Sequence, residues 1–207
     1  MKTLRILILL LPLLLWADEP AHRFLLVAPL NMADAPVERV QGWMASNLHY
    51  PVEVIRLPDW GGETAAEQAE ALAELPREGV IVTVVMSTRL EEAKHAVILP
   101  ERMLGVMNVA VLLEGGEERD LRRLDRQAIR IVGFALGVPP QPIPFCALAP
   151  YRTTAELDQI GRGFSPPAMA QYRAALVERN IPLSPEAERH LPDVRVRVPA
   201  PPPRPED

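Results

Sequence analysis

Val80 to Met86 (VIVTVVM) constrains this chain more than any other stretch. The run is β-branched and almost unbroken. β-branched side chains are stiff about χ1 and suit a pleated strand better than a helix. No polar alternation marks a solvent face, so the segment reads as a central strand covered on both sides, as in parallel sheets. Phe24 to Leu30 (FLLVAPL) and Gly105 to Leu113 (GVMNVAVLL) are further buried strands of the short apolar type. Pro51 to Leu57 (PVEVIRL) alternates, with Val52, Val54 and Leu57 facing inward. Between these runs, helical spacing covers Val37 to Met44, and Ala, Glu and Leu fill Thr64 to Leu75 before Pro76 to Gly79 end it. A short helix is expected over Arg89 to Ala96.

The strongest helix runs from Glu118 to Leu136. Leu121, Leu124, Ala128, Val132, Ala135 and Leu136 form its apolar stripe, and Gly137 is its stop signal. Pro139 to Pro150 is a proline-dense loop, followed by helices over Thr154 to Gly161 and Pro167 to Arg179. Strands alternate with helices first and helices dominate later. The fold class is therefore α/β: a small, mostly parallel twisted sheet with packed helices and a helical C-terminal subdomain.

The 207 residues allow one domain with tails. A net charge of −5 argues against a nucleic-acid surface. One cysteine, Cys146, makes neither an internal disulfide nor a cysteine zinc site. Lys2 and Arg5 precede the apolar run Ile6 to Trp16, and Ala17 stands before an acidic stretch. Residues 1–17 therefore read as an export signal, with a secreted or periplasmic product. Leu15 suits the cleavage position poorly, so an uncleaved anchor stays open, and only then is a membrane a partner. The folded domain is expected over 22–191, and 192–207 (ending APPPRPED) as an extended, poorly ordered tail.

Arg126 to Leu148 reads RQAIRIVGFALGVPPQPIPFCAL. This segment resembles the active-site region of the archaemetzincin family. That family carries His-Glu-x-x-His on a helix, then x-x-Gly-x-x-His-Cys, a four-residue spacer, Cys-x-Met and a later Cys-x-x-Cys. The resemblance implies a zincin-like fold and puts the first zinc histidine at Arg130, the general-base glutamate at Ile131 and the second histidine at Phe134. The turning glycine falls on Gly137, the third histidine on Pro140 and the first cysteine on Gln141. Cys146 keeps the second cysteine, and Leu148 takes the place of the methionine. Ala155 to Ala168 (AELDQIGRGFSPPA) is similar to the stretch leading to the last cysteine pair, which falls on Ser165 and Ala168 or on Pro166 and Met169.

Zinc needs lone-pair donors. Arg130 stays protonated, Phe134 and Pro140 have no donor, and Ile131 cannot take a proton from water. No catalytic residue, metal or cofactor is therefore expected. His22, His49, His95 and His190 are scattered, and the pair Glu91 and His95 reads as a solvated helix face. Two readings of Arg130 stay open. Its cation can stand at the metal position and hold a peptide carboxylate by a two-pronged hydrogen bond. The favoured reading is a helix-surface arginine paired with Asp125, Glu118 or solvent, because Arg119, Arg122, Arg123 and Arg126 look like one charged face.

Pro139, Pro140, Pro142, Pro144 and Pro150 can stiffen the loop in place of the structural metal, or be drift in a tolerant surface. Ile143 and Phe145 are expected to fill the vacated metal space. Trp43, Trp60, Tyr50 and Tyr151 line a cleft or the core, and Cys146 is a buried, inert thiol. The function expected is an exported, catalytically inactive archaemetzincin-like protein that binds a peptide or protein. The alternatives are a metallopeptidase with non-standard ligands and a structural, envelope-associated protein.

Overall fold

A computed structural model of the protein describes residues 22–186 apart from 59, 76, 92, 93, 115 and 116. The export-signal expectation over 1–17, His190 and the tail over 192–207 lie outside the described residues. Strands β1 (Arg23–Pro29), β2 (Val52–Leu57), β3 (Val80–Ser87), β4 (Ala96–Leu99) and β5 (Leu104–Asn108) form one sheet in the order β2-β1-β3-β5-β4. All neighbours are parallel except β4 and β5. Leu26 stands beside Val54 on one side and Val84 on the other, and Val85 beside Val106.

The period of two in the strands divides the core. Phe24, Leu26, Ala28, Val84, Met86 and Met107 face α1 (Asp34–Leu48) and α4 (Glu117–Ala135). Helix α1 offers Val37, Val40, Met44 and Leu48 to that face, and α4 offers Leu124, Ala128, Ile131, Val132 and Ala135. Leu25, Val27, Val85, Leu104 and Val106 point the other way, against α2 (Ala65–Ala71), Leu72 and Leu90. A capping box starts α2: the Thr64 side chain accepts from the Glu67 N–H, and the Glu67 carboxylate accepts from the Thr64 N–H.

Two expectations are corrected here. No helix spans Arg89 to Ala96. Residues 89–91 have no regular structure, and Ala96–Leu99 is the edge strand β4. Val97 and Ile98 are β-branched, and β5 offers them a ladder that an isolated helix would forgo. Nor does the strand from Gly105 reach Leu113. It ends at Asn108, whose side chain accepts from the Val111 N–H and caps the one-turn helix α3 (Val109–Leu112).

Residues 139–150 have no helix or strand. Helix α5 covers only Thr154–Leu157 of the expected Thr154–Gly161 segment, and α6 spans Pro166–Glu178. Pro166 and Pro167 open α6, where a missing N–H costs nothing. Leu157, Ile160, Ala168, Tyr172 and Leu176 join the core under α1 and α4, so the C-terminal helices share one core with the sheet. Among the described residues, no helix is long and apolar enough to cross a membrane.

Candidate functional site

Helix α4 carries the positions singled out in the sequence, and its polar side is not a plain charged face. Asp125 is fully buried and accepts from Arg39 of α1 at 2.7, 3.1 and 3.2 Å, and from Arg162 at 3.4 Å. Arg123, 5% exposed, grips Asp158 with two bonds of 2.9 and 2.8 Å. This pairing holds the Asp158 carboxyl below the usual carboxylate range. Arg126, 7% exposed, donates to the carbonyls of Ile160 at 3.0 Å and Asp158 at 2.9 Å. These cations fasten the segment after α5 onto α4, which corrects the solvated-face expectation for Arg123 and Arg126. Arg122 does pair at the surface, with Glu118 at 2.8 Å.

One turn further on, Arg130 turns inward. Its Nη1 donates to the carbonyls of Ala147 and, at 2.7 Å, Ala149. The guanidinium lies 5.0 Å from the Phe134 ring and 4.5 Å from the Tyr151 ring. Burial pulls its pKa down, against the pull of Tyr151 and Cys146. Arg130 is therefore bonded neither to Asp125 nor to Glu118, and the surface-pair expectation is corrected. The buried carbonyls at the end of the proline-dense loop need donors, and the Arg130 guanidinium, one turn past Arg126, reaches both with a single nitrogen.

Tyr151 extends this cluster. Its hydroxyl meets the Gln127 amide and lies 3.1 Å from His95 Nδ1, and its ring stacks on His95 at 5.3 Å. Burial, followed by the charges of Arg123 and Arg130, pulls the His95 pKa below its ordinary value. His95 is thus part of a packed aromatic and cationic cluster, contrary to the solvated helix face expected for it. Tyr151 is 56 residues from His95 in the chain, so no local pattern announces the pair.

The other positions that the resemblance singled out divide. Ile131 is fully buried and packs on β5: a Cβ added to Gly105 would stand 2.5 Å from Ile131 Cγ2. Phe134 is half-buried beside Arg130, and Pro140 is exposed in the loop. Of the second set, Cys146 Sγ accepts from the backbone N–H groups of Leu148 and Ser165, both at 3.4 Å. Ser165 Oγ is buried without a hydrogen-bond partner, and Ala168 is buried nearby in α6. Gln141 is buried and donates to the Pro139 carbonyl at 3.1 Å and to Gln171 Oε1 at 2.8 Å. The structure brings Cys146 and the Ser165 backbone together, and Cys146 is the single thiol there.

Phe145 does not fill vacated space, since it is 84% exposed; Ile143 is partly buried against the core. Gly161 is required by packing. A Cβ there would stand 1.8 Å from the Phe145 carbonyl oxygen. Gly133 sits under Leu148, where a Cβ would meet Leu148 Cδ2 at 2.8 Å. Trp43 packs under Arg162 at 4.4 Å and donates to the Arg162 carbonyl at 3.1 Å. Tyr50 is buried and donates to the Pro182 carbonyl at 2.7 Å. Trp60 lines a cavity at the carboxyl ends of the strands, and Arg130 is not part of that lining.

No family model matches the chain, and no curated protein matches it. Solved structures do. An archaemetzincin from Methanopyrus kandleri superimposes with a TM-score of 0.64 at 17% identity, covering 78% of this chain and 99% of its own. A zinc-dependent peptidase from Methanocorpusculum labreanum gives 0.61 at 14% identity, covering 72% and 99%. An archaemetzincin from Archaeoglobus fulgidus, complexed with malonate, gives 0.55 at 16% identity, covering 72% and 99%. The chain has the fold of the archaemetzincin-type zinc peptidases.

Proposed function

We propose that this chain is a non-catalytic protein on a zinc-peptidase fold and that it works as a peptide- or protein-binding module. The observation that carries this reading is Arg130, fixed by two backbone carbonyls and two aromatic rings, on the position where the sequence resemblance puts the first zinc histidine. The fold family implies a zinc ion, and these side chains do not fit one. A protonated guanidinium, a phenyl ring and a proline ring supply no lone pair toward a metal. Ile131, packed on Gly105, supplies no base. Among the described residues, no group of three or more His, Cys, Asp or Glu is placed to hold a metal. No hydrolytic step follows from this set of residues.

Binding is supported by the sheet edge beside the same cluster. Strand β4 pairs with β5 alone among the described strands. The Asn108 N–H bonds the His95 carbonyl at 2.9 Å, which sets the phase of the ladder. In an antiparallel pair the bonded residues alternate, so the backbone groups of Ala96 and Ile98 point to the open edge. An extended peptide can add there as a further strand. Arg130 contributes as the prop that shapes the wall, since its Nη1 already serves two carbonyls. Export rests on the sequence of residues 1–17.

The test joins metal content to peptide capture. Purified protein dialysed against a weak chelator should carry zinc well below one atom per chain and leave fluorogenic peptides uncut after zinc is added. Extended peptides selected from a display library should bind it, and Ile98→Pro should abolish that binding without lowering the melting temperature much, since the lost N–H is outside the ladder. Removing residues 192–207 should leave capture intact; its loss would favour the structural, tail-mediated alternative. Stoichiometric zinc with peptide hydrolysis would overturn the proposal.

A further inference from the structure

A buried glutamine on α2 marks a second candidate site, independent of the Arg130 cluster. Helix α1 connects β1 to β2 on one face of the sheet, and α2 connects β2 back to β3 on the other. The direction of winding therefore reverses between β1 and β3. In open parallel sheets, ligands gather at such a point, outside the carboxyl ends of the strands. A cavity of about 300 Å³ opens there, between Pro29 at the end of β1, Pro58 after β2 and Ser87 at the end of β3.

Helix α2 buries Ala65, Gln68 and Ala69, and Gln68, 1% exposed, is the polar exception. Its amide has a fixed orientation. Oε1 accepts from the Trp60 indole N–H at 3.4 Å, and Nε2 donates to the Gly62 carbonyl at 3.2 Å. Nε2 is therefore also the donor in its 2.9 Å bond to Ser87 Oγ. The Arg89 backbone N–H donates to the same oxygen at 3.2 Å. Both lone pairs of the Ser87 hydroxyl are thus occupied, and its proton remains to be given. Among the described residues no acceptor takes that proton. Ser87 is 2% exposed and lines the cavity, so its acceptor must come from inside it.

The remaining lining is apolar or neutral. Trp60, Pro29 and Pro58 supply flat walls. Gly62 is held at φ 86°, and a Cβ there would stand 2.9 Å from the Gln68 backbone nitrogen, so the turn that carries Trp60 packs directly on α2. Apart from Arg89, which is exposed and has an interaction of its own, the lining is uncharged. A carboxylate entering the cavity would lose water without gaining a counter-ion, whereas a neutral carbonyl loses less and accepts the proton on offer. We infer that the cavity at the carboxyl ends of β1 and β3 binds a small neutral molecule that joins a carbonyl oxygen to a flat apolar ring. The oxygen accepts from Ser87, and the ring lies along Trp60.

The test is a magnetic resonance titration of the full chain with acetophenone, ethylbenzene and benzoate. It is read on the Trp60 indole N–H signal, which Trp60→Leu identifies by its loss. Acetophenone should move that signal at millimolar concentration, and benzoate should bind at least about fivefold more weakly. Ethylbenzene lacks only the acceptor, so its affinity measures the apolar walls alone. Ser87→Ala should shift the ratio of the two dissociation constants about fivefold or more against the ketone, the factor expected for one neutral hydrogen bond. Ser87→Cys keeps an acceptor for Gln68 and Arg89 but donates weakly, and should shift the ratio the same way. Should Ser87→Ala fail to fold, the Ser87→Cys result decides. An unmoved Trp60 signal, benzoate bound as tightly as the ketone, or an unchanged ratio in the folded Ser87 variant would each overturn the assignment.

Discussion

Arg130 places one guanidinium against two carbonyls that water does not reach, and its removal leaves Ala147 and Ala149 without those donors. Unsatisfied buried acceptors cost about 1–3 kcal/mol each. Arg130→Met should therefore lower the urea midpoint by an amount equivalent to at least about 2 kcal/mol with little change in slope. Arg130→Lys should restore only part of it, because one ammonium nitrogen can donate to both carbonyls but cannot lie as a flat guanidinium between the two rings. His95 makes a pH prediction. Its folded pKa lies below the unfolded value near 6.5 because burial and two guanidinium charges oppose protonation. The unfolded chain therefore binds the extra proton first, and the contribution present above pH 6.5 is lost as pH falls below it. Urea midpoints should drop between neutral and mildly acidic pH, and His95→Gln should flatten that part of the profile.

The loop between α4 and α5 is held by fit. The Gly161 N–H bonds the Pro144 carbonyl at 3.0 Å, and its missing Cβ leaves room for the Phe145 carbonyl. Gly161→Ala puts a methyl group into backbone and should cost more than about 3 kcal/mol, beyond the usual range of a point substitution. Thermal unfolding of that variant checks this. Stiffening by Pro142 and Pro144 would act through the unfolded chain. Replacing both by Ala should lower stability by about 0.4–1 kcal/mol each. An unchanged melting temperature would assign these prolines to drift. Helices and strands of this chain were readable wherever a long run had one period, as in β3 and α4. The two misread segments were short. Asn108 redirects an otherwise continuous apolar run, and β4 forms only because β5 stands beside it.

Across the molecule, Asp125 is the joint between three elements. It takes Arg39 from α1 and Arg162 from the segment before α6 while sitting on α4, fully buried. Loss of one partner from a buried pair costs about 3–5 kcal/mol when the stranded charge stays dry. Arg39 and Arg162 are about a third exposed and can turn to water, so Asp125→Ala should cost less, about 2–3 kcal/mol. Trp43 stacks beneath both arginines. Its fluorescence and the far-ultraviolet circular dichroism should still report one coincident urea transition, as expected of a single core.

The amino-acid sequence by itself determined the α/β class, the central strand Val80–Ser87 and the long amphipathic helix. Each of these depends on residue type and local period, which need no neighbour. Only the tertiary structure decided which cations are buried, because Arg122 and Arg126 look alike on a helical wheel until Asp158 and Ile160 arrive from the next segment. It alone joined Arg130, Tyr151 and His95, and it alone made the cavity between β1 and β3. Such sites are assembled by strand order and chain reversal, and these are set by how faces pack rather than by any local run of residues.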